Sequence, residues 1–294
     1  MGSDMKKFAF AASILAVLTV TALPASAQSF PSQTLAWQTS NTAMTVGQTS
    51  YAYVDSTTGA VVSTLSSGKL DITTDCSGWV SYNLRNFPEA YAAVHGYQTN
   101  VPGEANKPFP RADVYQRYFA SLTAPNAYFT PVTKLTDIQP GDILAWCLDG
   151  YCAANYSATA TGDTGHAMVV MGAPVSDGNG GAFVLVLDSS TVTHYSPSDL
   201  PTAVAANAQA QISLYSQFPN ARTTTTTTAT GTKTATSGVG PGFILFGADS
   251  TGAINSFQFN VKDPVISTAG NGAYFAVARV NANVPYAQQP ATSP

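Results

Sequence analysis

The sequence predicts an α+β fold, and two observations carry that expectation. Apolar residues recur at helical spacing in two early segments, and the period then shifts towards two after Pro140-Gly141. A third observation bounds the size of the domain. The chain has 294 residues, of which 45% are hydrophobic and only 10% charged, so a sizeable core is available.

The first helical pattern covers Thr74 to Asn86, where Cys76, Val80, Leu84 and Phe87 recur on one face. Asp75 stands just before it as a capping residue. The second runs from Arg111 to Leu122, with Val114, Tyr118 and Phe119 on one side. Buried strands are then expected at Asp142 to Trp146, His166 to Gly172 and Ala182 to Asp188, the last two joined by a turn-rich loop. Further strands are expected at Gly242 to Gly247, Ser256 to Val261 and Ala273 to Val280.

The remaining segments divide the chain. Residues 1–4 read as a cloning scar. Residues 5–27 read as a secretory signal peptide, with Lys6-Lys7, an apolar run and the small-residue site Ala25-Ser26-Ala27. Export to a periplasm or to the medium is therefore expected, without an integral membrane segment once the leader is removed. Residues 28–70 read as a strand-and-loop extension packed on a main domain at 71–284. A Thr-rich stretch at about 222–238 holds six consecutive threonines and is expected to be a mobile surface insertion. Residues 285–294 read as a disordered tail.

Charge excludes one class of partner. The chain has 12 basic and 16 acidic side chains, and loss of the leader leaves 10 against 15, a net charge of −5. No electrostatic footprint for nucleic acid is present.

Three cysteines remain to be placed in an oxidising compartment. Cys147 and Cys152 flank a turn-forming stretch and are candidate disulfide partners. Zinc would need a second Cys or His pair at ligand spacing, and none is seen, so no metal and no cofactor is expected. By subtraction Cys76 is the free thiol. A cysteine in the first turn of a helix faces unpaired N–H groups and the positive end of the macrodipole, which favour the reactive thiolate. A lone cysteine can equally be a small buried core residue.

A nucleophile needs a base. His166 opens an apolar strand after a flexible Gly-rich stretch and is placed to point across a cleft, while His95 reads as a helix C-terminal residue and His194 as surface. Asp188, ending the next strand, is a candidate to orient the imidazole, or else a cap for the following turn.

Asp75-Cys76-Ser77-Gly78-Trp79-Val80, then Pro140-Gly141-Asp142, then Gly165-His166-Ala167-Met168 resembles the NlpC-like cell-wall peptidases of the papain fold. The resemblance covers about Asp71 to Ser190 plus Gly242 to Val280. It implies a papain-like arrangement, a Cys-bearing helix packed on a small antiparallel sheet. It also implies an amidase or endopeptidase acting on peptidoglycan stem peptides, with Cys76 forming a thioester and His166 as its base. Asp75, Ser77, Gly78, Trp79 and Gly165 fall on or beside the motif as candidate substrate-binding positions, Gly78 being expected to keep bulk away from the sulfur. The chain departs from the pattern in two ways. The third polar residue, commonly His, is matched by Asp188, and Thr74 rather than tyrosine precedes Asp75. The alternatives are an amidase of the CHAP type, cutting between sugar and peptide, and a non-catalytic envelope binding protein.

Overall fold

The computed structural model describes residues 31–153, 156–157, 159, 164–218, 223–228 and 231–287. Residues 1–30, which include the expected leader, and the tail beyond 287 lie outside the described residues. The architecture is mixed α and β, with a nine-stranded sheet as its centre.

The chain begins with α1 (Pro31–Thr45) and β1 (Val46–Tyr51), followed by β2 (Ala60–Thr64) and β3 (Leu70–Thr74). These three strands form a small sheet in the order β1-β3-β2, with β1 parallel and β2 antiparallel to β3. The expected strand-and-loop extension therefore starts with a 15-residue helix instead. Its buried stripe is Leu35, Thr39, Thr42, Ala43 and Val46 just beyond, a helical spacing written largely in threonine and alanine. The division at residue 70 also falls inside β3, so the extension and the main domain share one sheet.

Helices α2 (Cys76–Leu84), α3 (Pro88–Gln98) and α4 (Ala112–Ala120) come next. The main sheet is then laid down as β4 (Phe129–Val132), β5 (Ile143–Cys147), β6 (Gly165–Val170), β7 (Val175–Ser176) and β8 (Gly181–Ser190). After α5 (Thr202–Asn207) and α6 (Gln209–Tyr215), β9 (Thr223–Thr228) and β10 (Gly231–Thr236) pair as a separate hairpin. The Thr-rich stretch, expected to be a mobile surface insertion, holds regular antiparallel backbone at β9 and β10. β11 (Gly238–Ala248), β12 (Ile254–Gln258), β13 (Ile266–Ser267), α7 (Thr268–Asn271) and β14 (Tyr274–Val280) complete the chain. The main sheet runs β13-β12-β11-β8-β6-β5-β14-β4, with β7 on β8, antiparallel throughout and larger than the small sheet expected.

Both faces of this sheet are covered, which explains the continuous apolar runs of its central strands. Ile143, Ala145, Ala167, Val169, Phe183, Leu185 and Leu187 face the helices. Leu144, Trp146, Met168, Val170, Val184 and Val186 face a second cluster completed by Ile244, Phe246 and Phe257. Alternation along each strand produces the division. Part of the expected tail is also ordered. Tyr286 donates to Gln38 Oε1 at 2.7 Å and Ala287 N–H donates to the Asn86 carbonyl at 2.7 Å, so residues 285–287 pack on the start of the fold. No helix among the described residues is long and apolar enough to cross a membrane.

Candidate active site

Cys76 is the first residue of α2, immediately after β3. The turn between them is fixed by Asp75, whose Oδ1 accepts from Gly78 N–H at 2.6 Å and from Ser77 Oγ at 3.0 Å. Such an N-cap contributes about 1 kcal/mol and aims the free N–H groups of the first turn. Burial pushes the Asp75 carboxyl above its ordinary pKa, with these two hydrogen bonds opposing it.

Neighbouring elements close around the cap. Ser189 Oγ, near the end of β8, donates to the Thr74 carbonyl at 2.9 Å. Val239 N–H, at the start of β11, donates to Thr49 Oγ1 of β1 at 3.0 Å. The two sheets are thereby joined beside the cysteine.

Cys76 is 4% exposed and is the free thiol of the chain. It belongs to neither apolar cluster. Its sulfur lies 3.9 Å from the Gly165 carbonyl and 3.9 Å from the Tyr51 hydroxyl. Its charge also acts on His166, the residue after Gly165, and helps raise the imidazole pKa. The sulfur therefore sits at a polar seam between the two sheets.

His166 is the second residue of β6, beside Trp146 of β5, whose ring centre is 5.1 Å from the imidazole. The preceding Gly165 has φ +123°, a conformation that favours glycine, and a Cβ there would strike the Trp146 carbonyl. His166 Nε2 is 2.5 Å from Asp188 Oδ2. With Nε2 committed to the carboxylate, Nδ1 is the nitrogen left for the sulfur. Burial alone would lower the His166 pKa, but the charge on Cys76 and the bond to Asp188 outweigh it and lift the value to about 10. Imidazolium is therefore favoured at neutral pH.

His166 and Asp188, two of the residues selected from sequence, are in direct contact, and the Cys76 sulfur reaches the carbonyl of Gly165 beside them. Other motif positions do something else. Trp79 is fully buried in the helix-side core and cannot touch a substrate there. Ser77 is 2% exposed with its hydroxyl turned onto Asp75. Gly78 lacks a side chain because Gly59, in the turn before β2, presses its backbone against it, not because the sulfur needs room. Cys147 and Cys152 form a disulfide.

His194 is the clearest correction. Expected at the surface, it is 7% exposed, with Nε2 2.8 Å from the same Asp188 Oδ2 that meets His166. Its signal was weak, since Thr193-His194-Tyr195 lacks an apolar run. The buried Tyr195 next to it, bridged to Phe243 of β11, is what brings the segment back to the sheet. Tyr51 was also missed as a site residue; it lay unmarked in an alternating strand pattern.

His166, Asp188 and His194 have ligand atoms within 4.8 Å of one another. Ligands of a tetrahedral zinc at about 2.1 Å would stand about 3.3 Å apart. The observed 2.5 and 2.8 Å are hydrogen-bond distances, with both nitrogens aimed at one oxygen. The geometry is that of a proton-sharing chain. An apolar cavity of about 260 Å³ between α4, β4 and β14, lined by Phe119, Leu122, Val132, Phe275 and Val277, shares no residue with this cluster.

No protein-family model, curated protein or solved structure matches this chain.

Proposed function

We propose that the protein is an exported cysteine hydrolase that cleaves amide bonds in peptidoglycan stem peptides. The observation that carries this reading is the His166–Asp188 pair at 2.5 Å beside the free Cys76, whose charge helps raise the His166 pKa.

Each residue then has a role. The Cys76 thiolate attacks the carbonyl carbon and the C=O electrons move to oxygen, giving a tetrahedral oxyanion. The Cys76 backbone N–H, at the start of α2, and the Tyr51 hydroxyl, 3.9 Å from the sulfur, are the donors placed to stabilise it. His166 passes its proton to the leaving amine as the C–N bond breaks, leaving a thioester. Water, deprotonated by the same imidazole, attacks the thioester and releases acid and thiolate. Asp188 holds the ring in the tautomer that presents Nδ1 to the sulfur. The papain-like arrangement and the cell-wall substrate rest on the NlpC-like motifs, and the CHAP-type bond is the neighbouring option within the same chemistry.

A purified-peptidoglycan digest tests this directly. Wild-type protein should release fragments and Cys76→Ala should not, and mass spectrometry of the fragments identifies the bond. Equal release from both, or none from either, ends the reading. The low exposure of Cys76 favours a second reading, a binding protein that keeps the scaffold. In that case Cys76 would react with iodoacetamide like free cysteine, whose pKa is about 8.5. An activated thiol reacts well below that pH and slows in His166→Ala.

A further inference from the structure

We propose that His194 is a positioning residue of this site, carrying its proton on Nε2 and, through Asp188, setting how tightly His166 holds its own. The inference rests on the nucleophile–base reading of Cys76 and His166.

Asp188 is fully buried on β8, and its Oδ2 is met by two imidazoles, His166 Nε2 at 2.5 Å and His194 Nε2 at 2.8 Å. An ionised carboxylate only accepts, so each nitrogen facing it must donate. That assigns the His194 proton to Nε2. The His194 side chain is wholly covered, whereas that of His166 is 9% exposed, so only His166 has an edge towards the outside.

The fold holds His194 firmly in this place. Its ring stacks on Phe259 at 4.9 Å and 11°. The next residue, Tyr195, donates its N–H to the Phe243 carbonyl at 3.0 Å, and Phe243 returns a bond at 2.9 Å. Opposite the ring stands Gly242, where a Cβ would come within 2.7 Å of His194 Cδ2. A loop histidine with no task would not need a strand glycine to admit it.

The chemical consequence concerns shared charge. A donor on Oδ2 withdraws part of the negative charge that would otherwise act on His166, and it stops the carboxylate from rotating. Without His194, Asp188 would hold the His166 proton more tightly and in a looser geometry. The titratable groups facing His194 are His166 and Asp188 on one side and Asp199, Tyr215 and Lys262 around the adjoining pocket.

The test compares His194→Phe, which keeps a ring on Phe259 but lacks the donor, with His194→Gln, which keeps an N–H donor. His194→Phe should lower kcat about ten- to a hundredfold, in the range of other outer-shell orienting partners, with KM unchanged. The alkaline limb of Cys76 alkylation by iodoacetamide should move up by about one pH unit. His194→Gln should recover most of kcat and return the limb towards wild type. A merely structural histidine would change the melting temperature and leave the limb where it is. If wild-type Cys76 is activated but both variants match its kcat and profile, the positioning role is overturned and the nucleophile stands. If wild-type Cys76 behaves as free cysteine, the nucleophile reading fails first. Should His194→Phe fail to fold, NMR of ¹⁵N-histidine wild-type protein decides. A proton on His194 Nε2 is expected, and a proton on Nδ1 alone overturns the proposal.

Discussion

Two fully buried aspartates of the central sheet region, Asp142 and Asp188, differ in what they hold. Asp142, just before β5, is gripped by Arg279, whose Nε donates to Oδ1 at 2.8 Å and whose second nitrogen donates to Oδ2 at 2.9 Å. Gln139 N–H adds a bond at 2.8 Å. Asp188, on β8 beside β6, is held by two imidazoles. Burying either carboxylate is costly, and both costs are offset by charged or polar donors. Arginine does not release its proton in a protein, so the Asp142 cluster can only fasten strands together. Histidine can release one, so the Asp188 cluster can do chemistry. The partner, not the burial of the acid, separates a fastening from a proton carrier.

This contrast can be broken in order of effect. His166→Ala should reduce kcat by roughly 10⁴–10⁶, as loss of a base in such a unit does, with the fold retained by circular dichroism. Asp188→Asn should follow, with a fall of roughly 10²–10⁴ in kcat, because the ring loses its fixed tautomer. Asp142→Ala should do the reverse. Activity per folded molecule should hold, while urea denaturation shows a loss of about 3 kcal/mol from stranding Arg279. A large kcat loss in Asp142→Ala, or a purely thermal defect in Asp188→Asn, would erase the distinction.

The smallest effect is on pH dependence. The folded His166 pKa, about 10, lies above its ordinary 6.5, so folding takes up a proton between those values. That contribution to stability is complete below about pH 6.5 and is lost as pH rises through about 10. The melting temperature should therefore fall between pH 7 and 10, and less steeply in Cys76→Ala, which lacks the neighbouring sulfur. A slope identical in both would remove the sulfur's share.

Legibility in sequence followed the range of the forces involved. β6 and β8 were visible because both faces are buried and their apolar runs are unbroken. α2 was visible from its cap and spacing; Cys76 opens α2 and His166 is the second residue of β6, whereas Asp188 lies inside β8, which runs on to Ser190. α1 was hidden because Thr39 and Thr42 occupy positions of its buried stripe. Arg279 and Asp142 are 137 positions apart, so nothing local couples them. His194 was hidden for a related reason. Its environment is made by Phe259 and Asp188, which only the folded sheet brings to it. Trp79, Ser77 and Gly78 illustrate the opposite error, since adjacency to a nucleophile in sequence placed them in the substrate's path when packing turns them inward.

The contact between Tyr286 and Gln38 spans 248 positions of sequence, and the Tyr286 ring also rests 5.4 Å from that of Phe87. The first helix and the last described residues are therefore neighbours in space. Splicing them with a short flexible linker, and reopening the backbone at the exposed Gly178–Gly180 turn, would yield a circularly permuted protein whose His166–Asp188 contact is kept. Such a rearranged protein would carry both new ends in the turn between β7 and β8, on an exposed loop suited to fusion or immobilisation.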